Sequence, residues 1–326
     1  MRDAMARAEV GDEQEREDPT VLALERRTAA LLGHEEAVYL PTATMGNQIA
    51  LVILGERGTE LLLEERAHIM VSELAGAARH AGLQTRAVPG FRGQLSVEQV
   101  RRQAWTEGDF WTPRTSVLAL ENPHNAAGGT IWPLDELRQV VAAACELGIR
   151  THLDGARLLN AAVASGIPAA EIAGGFDTVT LCLSKGLGCP LGALIAGSHE
   201  LMHRARMEKH RFGGAMRQAG IVAAAGLYAL DHNVDRLAED HANARALARG
   251  LSQIPGVEVQ EPETNLVFFK PDGAGVPGDK MVAALNKRGV LLAMMDGRIR
   301  ACTHLDVNAS QIEETIGYVR EIVRGA

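Results

Sequence analysis

The sequence predicts an α/β fold in which a mostly parallel central sheet carries helices on both faces and a smaller α+β domain follows. Three observations predict it. Short apolar, β-rich runs such as TSVLALE, GIRTHLD and DTVTLCLS recur along the first part of the chain. Amphipathic patterns such as PLDELRQVVAAACELG lie between most of them, and strands that alternate with helices are typical of parallel sheets. After GGAMRQAG the pattern becomes mainly helical.

The predicted elements of the large domain follow from caps and periodicity. EDPTVLALERRTAALLG predicts a helix that Asp18 caps, with Pro19 in the first turn and Gly33 at its end. AVYLPT then predicts a strand and TMGNQIALVIL a second helix. The other predicted strands are ELLLE, LQTRAV, TSVLALE, GIRTHLD, DTVTLCLS and GALIAG.

The C-terminal part predicts a separate α+β unit. AGIVAAAGLYAL and VDRLAEDHANARALARGLSQI have the pattern of long amphipathic helices. After PGVEV a strand is predicted at NLVFF, followed by the helix GDKMVAALNKRG, two short strands and a helix from about Ala309. We therefore predict a large domain over residues 1–234, including an N-terminal helical segment over 1–35, and a small domain over 235–326.

Composition excludes several classes of protein. Hydrophobic residues make up 46% and charged residues 23% of the 326, which is enough apolar surface for a packed core. The net charge of −8 argues against a nucleic-acid-binding protein. The chain has no apolar run of about 18 residues, so no membrane span is predicted, and its charged opening does not resemble a signal peptide.

The cysteines predict neither a metal site nor a redox pair. Cys145, Cys182, Cys189 and Cys302 are scattered and form no C-x-x-C motif. Reduced thiols in a cytoplasmic protein are the simplest interpretation.

Polar residues follow three predicted strands at the point where each strand ends. TSVLALE ends at Glu121 with His124 shortly after it, GIRTHLD ends at Asp154 with Arg157 after it, and DTVTLCLS leads to Lys185. The intervals between these strands match βαβ units. Because ligands of open α/β sheets bind at the carboxyl ends of the strands, we expect these side chains to share one pocket.

The residue types in this pocket indicate pyridoxal phosphate chemistry. A lysine can attack a carbonyl as a free amine, and an aspartate facing a pyridine nitrogen keeps the ring protonated, so Lys185 and Asp154 form the pair that this cofactor requires. The turn Thr42–Thr44 before a helix offers backbone N–H groups to a phosphate. His68, after ELLLEERA, is available to stack on the ring.

Each of these residues taken alone has a simpler explanation. A lysine after a strand is usually a solvated loop charge, and Asp154 before Gly155 could simply form a turn. His68 and His124 could be surface histidines, and TATMGN could be an ordinary helix cap. Taken together they favour a site, because one fold would bring all of them to one cofactor.

The motifs that contain these residues resemble a known family. DPTVLALE, YLPTATMGNQIAL, LENPHNAAGGTIWPLDEL, HLDGARLLNAAVASG, LCLSKGLGCPLGALIAG, GGAMRQAGIVAAAGLYAL and THLDV together resemble the low-specificity L-threonine aldolases, which are β-eliminating lyases of the aminotransferase-like fold type I. The likeness runs from about residue 4 to the C-terminus. HLDGAR, LSKGLG and GGAMRQAG in this order are the more specific motifs, whereas PTATMGN alone is weak.

The resemblance implies a role for each matching residue. Lys185 would hold pyridoxal phosphate as a Schiff base, Asp154 would pair with the ring N–H, and His68 would stack on the ring. Arg157 would face the cofactor's phenolic oxygen and the substrate carboxylate. Phosphate binding is implied for Ala43, Thr44 and Met45, and for Arg217 across a subunit interface. Arg300 would bind the α-carboxylate of the substrate, and His124 would contact its β-hydroxyl.

The resemblance also implies the reaction and the assembly. It implies retro-aldol cleavage of L-threonine or L-allo-threonine to glycine and an aldehyde, in a homotetramer built from dimers that share active sites. Lys185, Asp154, His68 and His124 would be the catalytic residues. Whether His124, His68 or a bound water takes the hydroxyl proton stays open.

The sequence departs from the family pattern near its start. It opens just past a segment of the type D-x-R-S-D-T-V-T-x-P, whose serine ordinarily helps to bind the substrate carboxylate. Glu15 stands where an aromatic residue is usual, and Ala43 replaces a glycine of the phosphate turn. We therefore expect weakened substrate binding rather than its loss.

Four other functions are weighed against this one. A β-eliminating lyase or a phenylserine-type aldolase would keep the cofactor and change the bond or the substrate. A non-catalytic protein of the same fold would bind the cofactor without turnover. A dinucleotide-binding protein is disfavoured, because GLGCPLG follows Lys185 and lacks the G-x-x-G spacing that opens a helix in that fingerprint.

Overall fold

A seven-stranded sheet forms the centre of the computed structural model, which describes residues 1–106 and 110–325. Its strands are Glu36–Leu40 (β1), Glu60–Glu64 (β2), Gln84–Val88 (β3), Thr115–Glu121 (β4), Arg150–Gly155 (β5), Thr178–Cys182 (β6) and Ala193–Gly197 (β7). The spatial order is β1-β7-β6-β5-β4-β2-β3. Strands β3, β2, β4, β5 and β6 are parallel, and β7 runs antiparallel to both β6 and β1. The predicted α/β class with a mostly parallel sheet is confirmed.

Helices cover this sheet and extend into the C-terminal part. Their bounds are Arg2–Ala6 (α1), Pro19–Leu32 (α2), Ala43–Leu54 (α3), His68–Val71 (α4), Val97–Gln103 (α5), Leu134–Glu146 (α6), Leu158–Ser165 (α7), Ala169–Ala173 (α8), His199–Arg211 (α9), Gly220–His232 (α10), Leu237–Ser252 (α11), Gly278–Asn286 (α12) and Ala309–Arg324 (α13). The predicted caps of α2 are present: Asp18 accepts from the Val21 amide at 2.9 Å, and Gly33 ends the helix with φ 69°.

Both faces of the sheet are buried, which explains why its strands read as continuous apolar runs. In β2, Leu62 packs into one apolar cluster, while Leu61 and Leu63 pack into the cluster on the opposite face. All three side chains are fully buried. Burial of a leucine side chain contributes about 1.5–3 kcal/mol to the free energy of folding. Because alternate residues of the strand point to opposite faces, this burial stabilises the packing of helices on both sides of the sheet.

A second, smaller sheet lies in the C-terminal part. Strands Glu258–Gln260 (β8), Leu266–Lys270 (β9), Ala293–Met295 (β10) and Arg298–Cys302 (β11) are antiparallel in the order β10-β11-β9-β8. Helices α11, α12 and α13 share a third apolar cluster with it. The predicted domain boundary falls between α10 and α11, and the division itself stays a prediction; residue 326 lies outside the described residues.

Within the described residues, no helix is both long and apolar enough to cross a membrane.

Candidate active site

The carboxyl ends of three neighbouring strands bring the predicted residues together. Glu121 at the end of β4 is opposite Asp154 in β5, and Asp154 is opposite Thr180 in β6. After β6 the chain turns back, with the Gly188 amide donating to the Lys185 carbonyl at 2.9 Å. Lys185 in this turn and Asp154 line the same cavity.

A cavity of about 240 Å³ opens at this edge of the sheet. The side chains on its wall that carry charge or titrate are His68, Glu121, Asp154, Arg157, Lys185 and Arg300. Arg300 comes from β11 of the second sheet, so both parts of the chain contribute to one site. The structure thus brings five of the predicted site residues into one cavity.

Two arginines of the cavity carry donors for which the described part of the chain offers no acceptor. Among the described residues, the buried Nε atoms of Arg157 and Arg300 have no hydrogen-bond partner. Arg300 donates through Nη2 to the Asn125 side-chain oxygen at 3.0 Å. Burial and then the charge of Arg157 lower the pKa of Arg300. Because an unmade hydrogen bond of a buried group is costly, these donors indicate a site for an anionic ligand.

Asp154 lies at the base of the cavity, with 3% of its surface exposed. Its Oδ1 accepts from the Ala156 amide at 3.0 Å, and its Oδ2 accepts from the Asn47 side chain at 2.8 Å. Two donors fix the plane of the carboxylate while the group still lines the cavity. It can therefore pair with a protonated ring nitrogen.

His68 opens α4 and is held from two sides. Its backbone N–H donates to Glu121 Oε2 at 2.8 Å, and its Nδ1 lies 2.8 Å from Glu73 Oε1. The hydrogen bond with Glu73 raises the pKa of His68, and the charges of Asp154 and Glu121 add to this effect against the influence of burial. The imidazole ring is thus fixed on the cavity wall, where it can stack on a planar ligand.

The turn that is predicted to bind a phosphate lies at the start of α3. Thr42 caps the helix, and its hydroxyl accepts from the Met45 amide at 3.1 Å. The Ala43 and Thr44 amides belong to the first turn, which lacks intrahelical acceptors. Asn47, about one helical turn (~5 Å) further along, bonds to Asp154, so the helix start lies near the cavity.

The residues present fit pyridoxal phosphate. A lysine amine, a fixed carboxylate and an imidazole ring share one cavity, and a helix N-terminus lies close by. The two arginine Nε donors without partners suit a carboxylate substrate or the cofactor's oxygens. This donor set is the one that the chemistry of the cofactor requires.

His124 is one of the predicted residues that do not line the cavity, because the structure places it behind the wall. Its side chain is fully buried, with Nε2 3.0 Å from Glu64 Oε2 and Nδ1 accepting from the Ala127 amide at 3.2 Å. Burial alone would lower the pKa of His124, but the charges of Glu121 and Glu64 outweigh it and raise the pKa. Although Nε2 lies close to Glu64, it makes no hydrogen bond of good geometry with the described residues, and the predicted contact of His124 with a substrate hydroxyl stays a prediction.

Arg217 and Glu15 also lie away from the cavity of this chain. Arg217 donates to Asp12 at 2.6 Å, and 62% of its side chain is exposed. Glu15 lines a separate cavity of about 270 Å³ with Glu13 and Lys209. The role predicted for Arg217 depends on a second subunit and stays a prediction.

Three residues of the site were not predicted from the sequence. Asn47 and Glu73 hold Asp154 and His68, and Glu64 pairs with His124. Glu64 had a signal: like Lys185, it is a charged residue at the end of an apolar strand. Asn47 also had one, since it is a polar residue in a helix that is otherwise mainly apolar.

His68, Glu73 and Asp154 have atoms close enough together to hold a cation. Their ligand atoms lie within 4.8 Å of one another. Asn47 Nδ2, however, donates to both carboxylates at 2.8 Å and so occupies the position between them. We therefore interpret these groups as a hydrogen-bonded network.

Comparisons with known proteins agree with this geometry. The model of the family described as beta-eliminating lyase matches residues 1–274. The chain belongs to the beta-eliminating lyase family. Among its relatives in this family, the low specificity L-threonine aldolase of Escherichia coli K12 is 39% identical over 98% of this chain and 94% of its own length. Low-specificity L-threonine aldolase 1 of Arabidopsis thaliana is 35% identical over 97% of this chain and 90% of its own length.

A solved structure confirms the fold class. The threonine aldolase of Leishmania major superposes with a TM-score of 0.83 over 98% of this chain and 95% of its own, at 22% identity. The predicted aminotransferase-like fold of type I is therefore confirmed.

Proposed function

We propose that this chain is a pyridoxal phosphate-dependent aldolase that cleaves L-threonine, L-allo-threonine and related β-hydroxy-α-amino acids to glycine and an aldehyde. The observation that carries the proposal is the single cavity that joins Lys185, Asp154 and His68 to two arginines with unused donors. Relatives named L-threonine aldolases, 35% and 39% identical over nearly the whole chain, support it.

The cofactor-binding roles follow from the positions of the side chains. Lys185 would bind the cofactor covalently through Nζ, and Asp154, fixed by two donors, would hold the ring nitrogen in its protonated form. His68 would lie against the ring face, and the Ala43 and Thr44 amides would bind the phosphate. When bound, pyridoxal phosphate supplies an electron sink for the carbon whose bond is broken.

Arg157 and Arg300 would bind and orient the substrate. Their Nε donors lie in one cavity with Lys185, so a substrate carboxylate bound there would have its α-carbon near the lysine amine. Charge-assisted hydrogen bonds from two arginines fix the carboxylate and thereby choose the bond at the α-carbon that can break.

Removal of the β-hydroxyl proton would take place on the cavity wall. His68 lies on that wall and His124 lies behind it, which favours His68 or a water bound beside it. The hydrogen bond with Glu73 raises the pKa of His68, which makes the unprotonated ring a stronger base and also enlarges its protonated fraction near neutral pH.

Product analysis tests the proposed reaction. The chain loaded with pyridoxal phosphate is incubated with L-threonine, and glycine, acetaldehyde, ammonia and 2-oxo acid are measured, with Lys185→Ala as the control. Glycine and acetaldehyde in equal amounts are expected. A 2-oxo acid with ammonia would establish the β-eliminating lyase. Cleavage of phenylserine to benzaldehyde without cleavage of L-threonine would establish the phenylserine-type aldolase. A loaded chain without turnover would be a non-catalytic protein of this fold.

We also propose that the chain works as a homotetramer, a dimer of dimers with shared active sites. Leu74 and Val71, beside the His68 wall, expose 97% and 56% of their surface, and such an apolar patch supports a covering subunit. Co-expression of Arg217→Ala and Lys185→Ala chains should then restore activity that neither variant has alone. Active monomers in sedimentation would contradict it.

We place the enzyme in the cytoplasm. The four cysteines, Cys145, Cys182, Cys189 and Cys302, are all free thiols in the structure, which supports a reducing compartment.

A further inference from the structure

Asn47 lies between the two carboxylates that hold the predicted ring-binding groups. Its side chain is buried, with 1% of the residue exposed. Nδ2 donates to Asp154 Oδ2 and to Glu73 Oε1, each at 2.8 Å. An amide NH₂ group has two hydrogens, so it satisfies one oxygen of each carboxylate.

A buried histidine fixes the orientation of this amide. Asn47 Oδ1 lies 3.1 Å from His152 Nε2, and His152 Nδ1 lies 2.9 Å from the Thr178 hydroxyl. The opposite orientation would turn the amide oxygen towards two carboxylates, which offer only acceptors. The NH₂ group must therefore face Asp154 and Glu73.

Burial keeps His152 uncharged, and the network determines which of its ring nitrogens carries the hydrogen. The residue is fully buried, and burial lowers its pKa to about 4, so its imidazole is neutral near neutral pH. Because Nε2 faces the carbonyl oxygen of Asn47, Nε2 carries the hydrogen and Nδ1 accepts from Thr178. His152 thus orients Asn47 without adding charge.

We propose that Asn47 is a positioning residue that joins Asp154, the partner of the ring nitrogen, and Glu73, the partner of His68, into one hydrogen-bonded unit of fixed orientation and charge. Asn47 is not on the cavity wall and acts through Asp154 and Glu73. The inference rests on the proposed function, since it assigns Asn47 to the binding of the same cofactor.

The charges around this unit explain why a donor is needed there. Two carboxylates that lie close together repel each other, and a donor that bonds to both offsets this repulsion. Glu73 accepts further from Gln48 at 2.5 Å. The other charged groups that face His68 or share its cavity are Glu121, Lys185, Arg157 and Arg300.

The substitution Asn47→Asp tests the unit with almost no change in volume. It replaces the donor by a third carboxylate and places that carboxylate opposite His152 Nε2. In the apoprotein, His152 should change from neutral in the wild type to protonated in the variant near neutral pH. Nuclear magnetic resonance of labelled histidines, assigned with His152→Gln, measures this change without the cofactor.

The loaded enzyme provides a second measurement. Mutation of a residue that orients a functional histidine or carboxylate typically lowers activity roughly 10- to 100-fold, as it does for the outer partners of metal-bound histidines. We expect a fall in kcat of this size for Asn47→Asp and for Asn47→Ala, which removes the donors without adding charge. KM for L-threonine should change little, because Arg157 and Arg300 are untouched.

The control and the outcomes separate this inference from the proposed function. Asn265→Asp also buries a carboxylate, since Asn265 has 1% of its surface exposed and donates to the Thr303 carbonyl at 2.8 Å. It should leave His152 neutral and kcat unchanged. A normal kcat in both Asn47 variants with a neutral His152 would overturn the inference, whereas a wild-type chain that forms no glycine would overturn the proposed function.

Discussion

The substitution Asp154→Asn should nearly abolish turnover while the protein stays folded. In the structure, Asp154 uses each oxygen as an acceptor, Oδ1 for the Ala156 amide and Oδ2 for the Asn47 side chain. An asparagine has one oxygen and one NH₂ group. Whichever way it turns, its NH₂ group meets one of these two donors, so one hydrogen bond is lost and the ring nitrogen loses its anionic partner.

The two effects differ in size. Loss of one buried hydrogen bond costs about 1–3 kcal/mol of folding free energy, which a chain with a core of this size tolerates. Loss of the charge affects the transition state. An aspartate-to-asparagine change that misplaces a proton in a serine protease costs roughly 10⁴-fold in kcat, or about 5 kcal/mol, and we expect a loss of the same order here.

The assay is glycine formation from L-threonine at saturating cofactor, with urea unfolding curves measured alongside. Asp240→Asn is the matched control, because Asp240 is also fully buried but does not line the cavity. Its carboxylate accepts a hydrogen bond from Arg236 at 2.7 Å. That variant should lose stability and keep kcat. If Asp154→Asn kept kcat near the wild-type value, Asp154 would not be the partner of the ring nitrogen and the proposed site would be wrong.

Two further predictions concern Arg300 and the buried pair of Glu64 and His124. Arg300→Gln should raise KM for L-threonine roughly 10- to 100-fold with a smaller change in kcat, because a charge-assisted hydrogen bond to the carboxylate is lost; an unchanged KM would place the carboxylate elsewhere. Burial acts to raise the pKa of Glu64, but the hydrogen bond and charge of His124 outweigh burial, so the pKa of Glu64 is lowered. The pKa of His124 is raised. The pair therefore contributes its full stabilisation between the unfolded-state pKa values of the glutamate and the histidine, about 4.3 and 6.5. This stabilisation is lost as pH rises through the raised pKa of His124. It is also lost as pH falls through the lowered pKa of Glu64. Glu64→Gln should cost up to about 3 kcal/mol in that window and less at alkaline pH in urea unfolding curves, and a cost independent of pH would refute the charged pair.

Where local rules apply, the sequence was sufficient to predict which side chains share the cavity. Lys185, Asp154 and Arg157 follow parallel strands, and parallel neighbours place their carboxyl ends at one edge whatever the order of the strands. The helix caps at Asp18 and Gly33 depend on adjacent residues and were predicted for the same reason. The position of β7 between β1 and β6 depends on long-range pairing, and the sequence pattern carried no information about it.

The residues that were missed act through contacts between distant segments. Asn47 reaches Asp154 and His152, more than a hundred positions along the chain, and nothing in TMGNQIALVIL indicates these partners. His124 was predicted to face the substrate from its motif alone. Its ring lies close to Glu64 on strand β2, and only the packing of β2 against β4 reveals that neighbour, while the role at the substrate stays a prediction.

The most direct test of the account is the identity of the lysine that holds the cofactor. The chain is loaded with pyridoxal phosphate, reduced with borohydride and digested, and the modified peptide is identified by mass spectrometry. We expect the added mass on Lys185, and we expect Lys185→Ala to lose both the visible absorption band and the label while its unfolding curve stays cooperative. A label on another lysine, or a Lys185→Ala chain that keeps the band and the turnover, would contradict it.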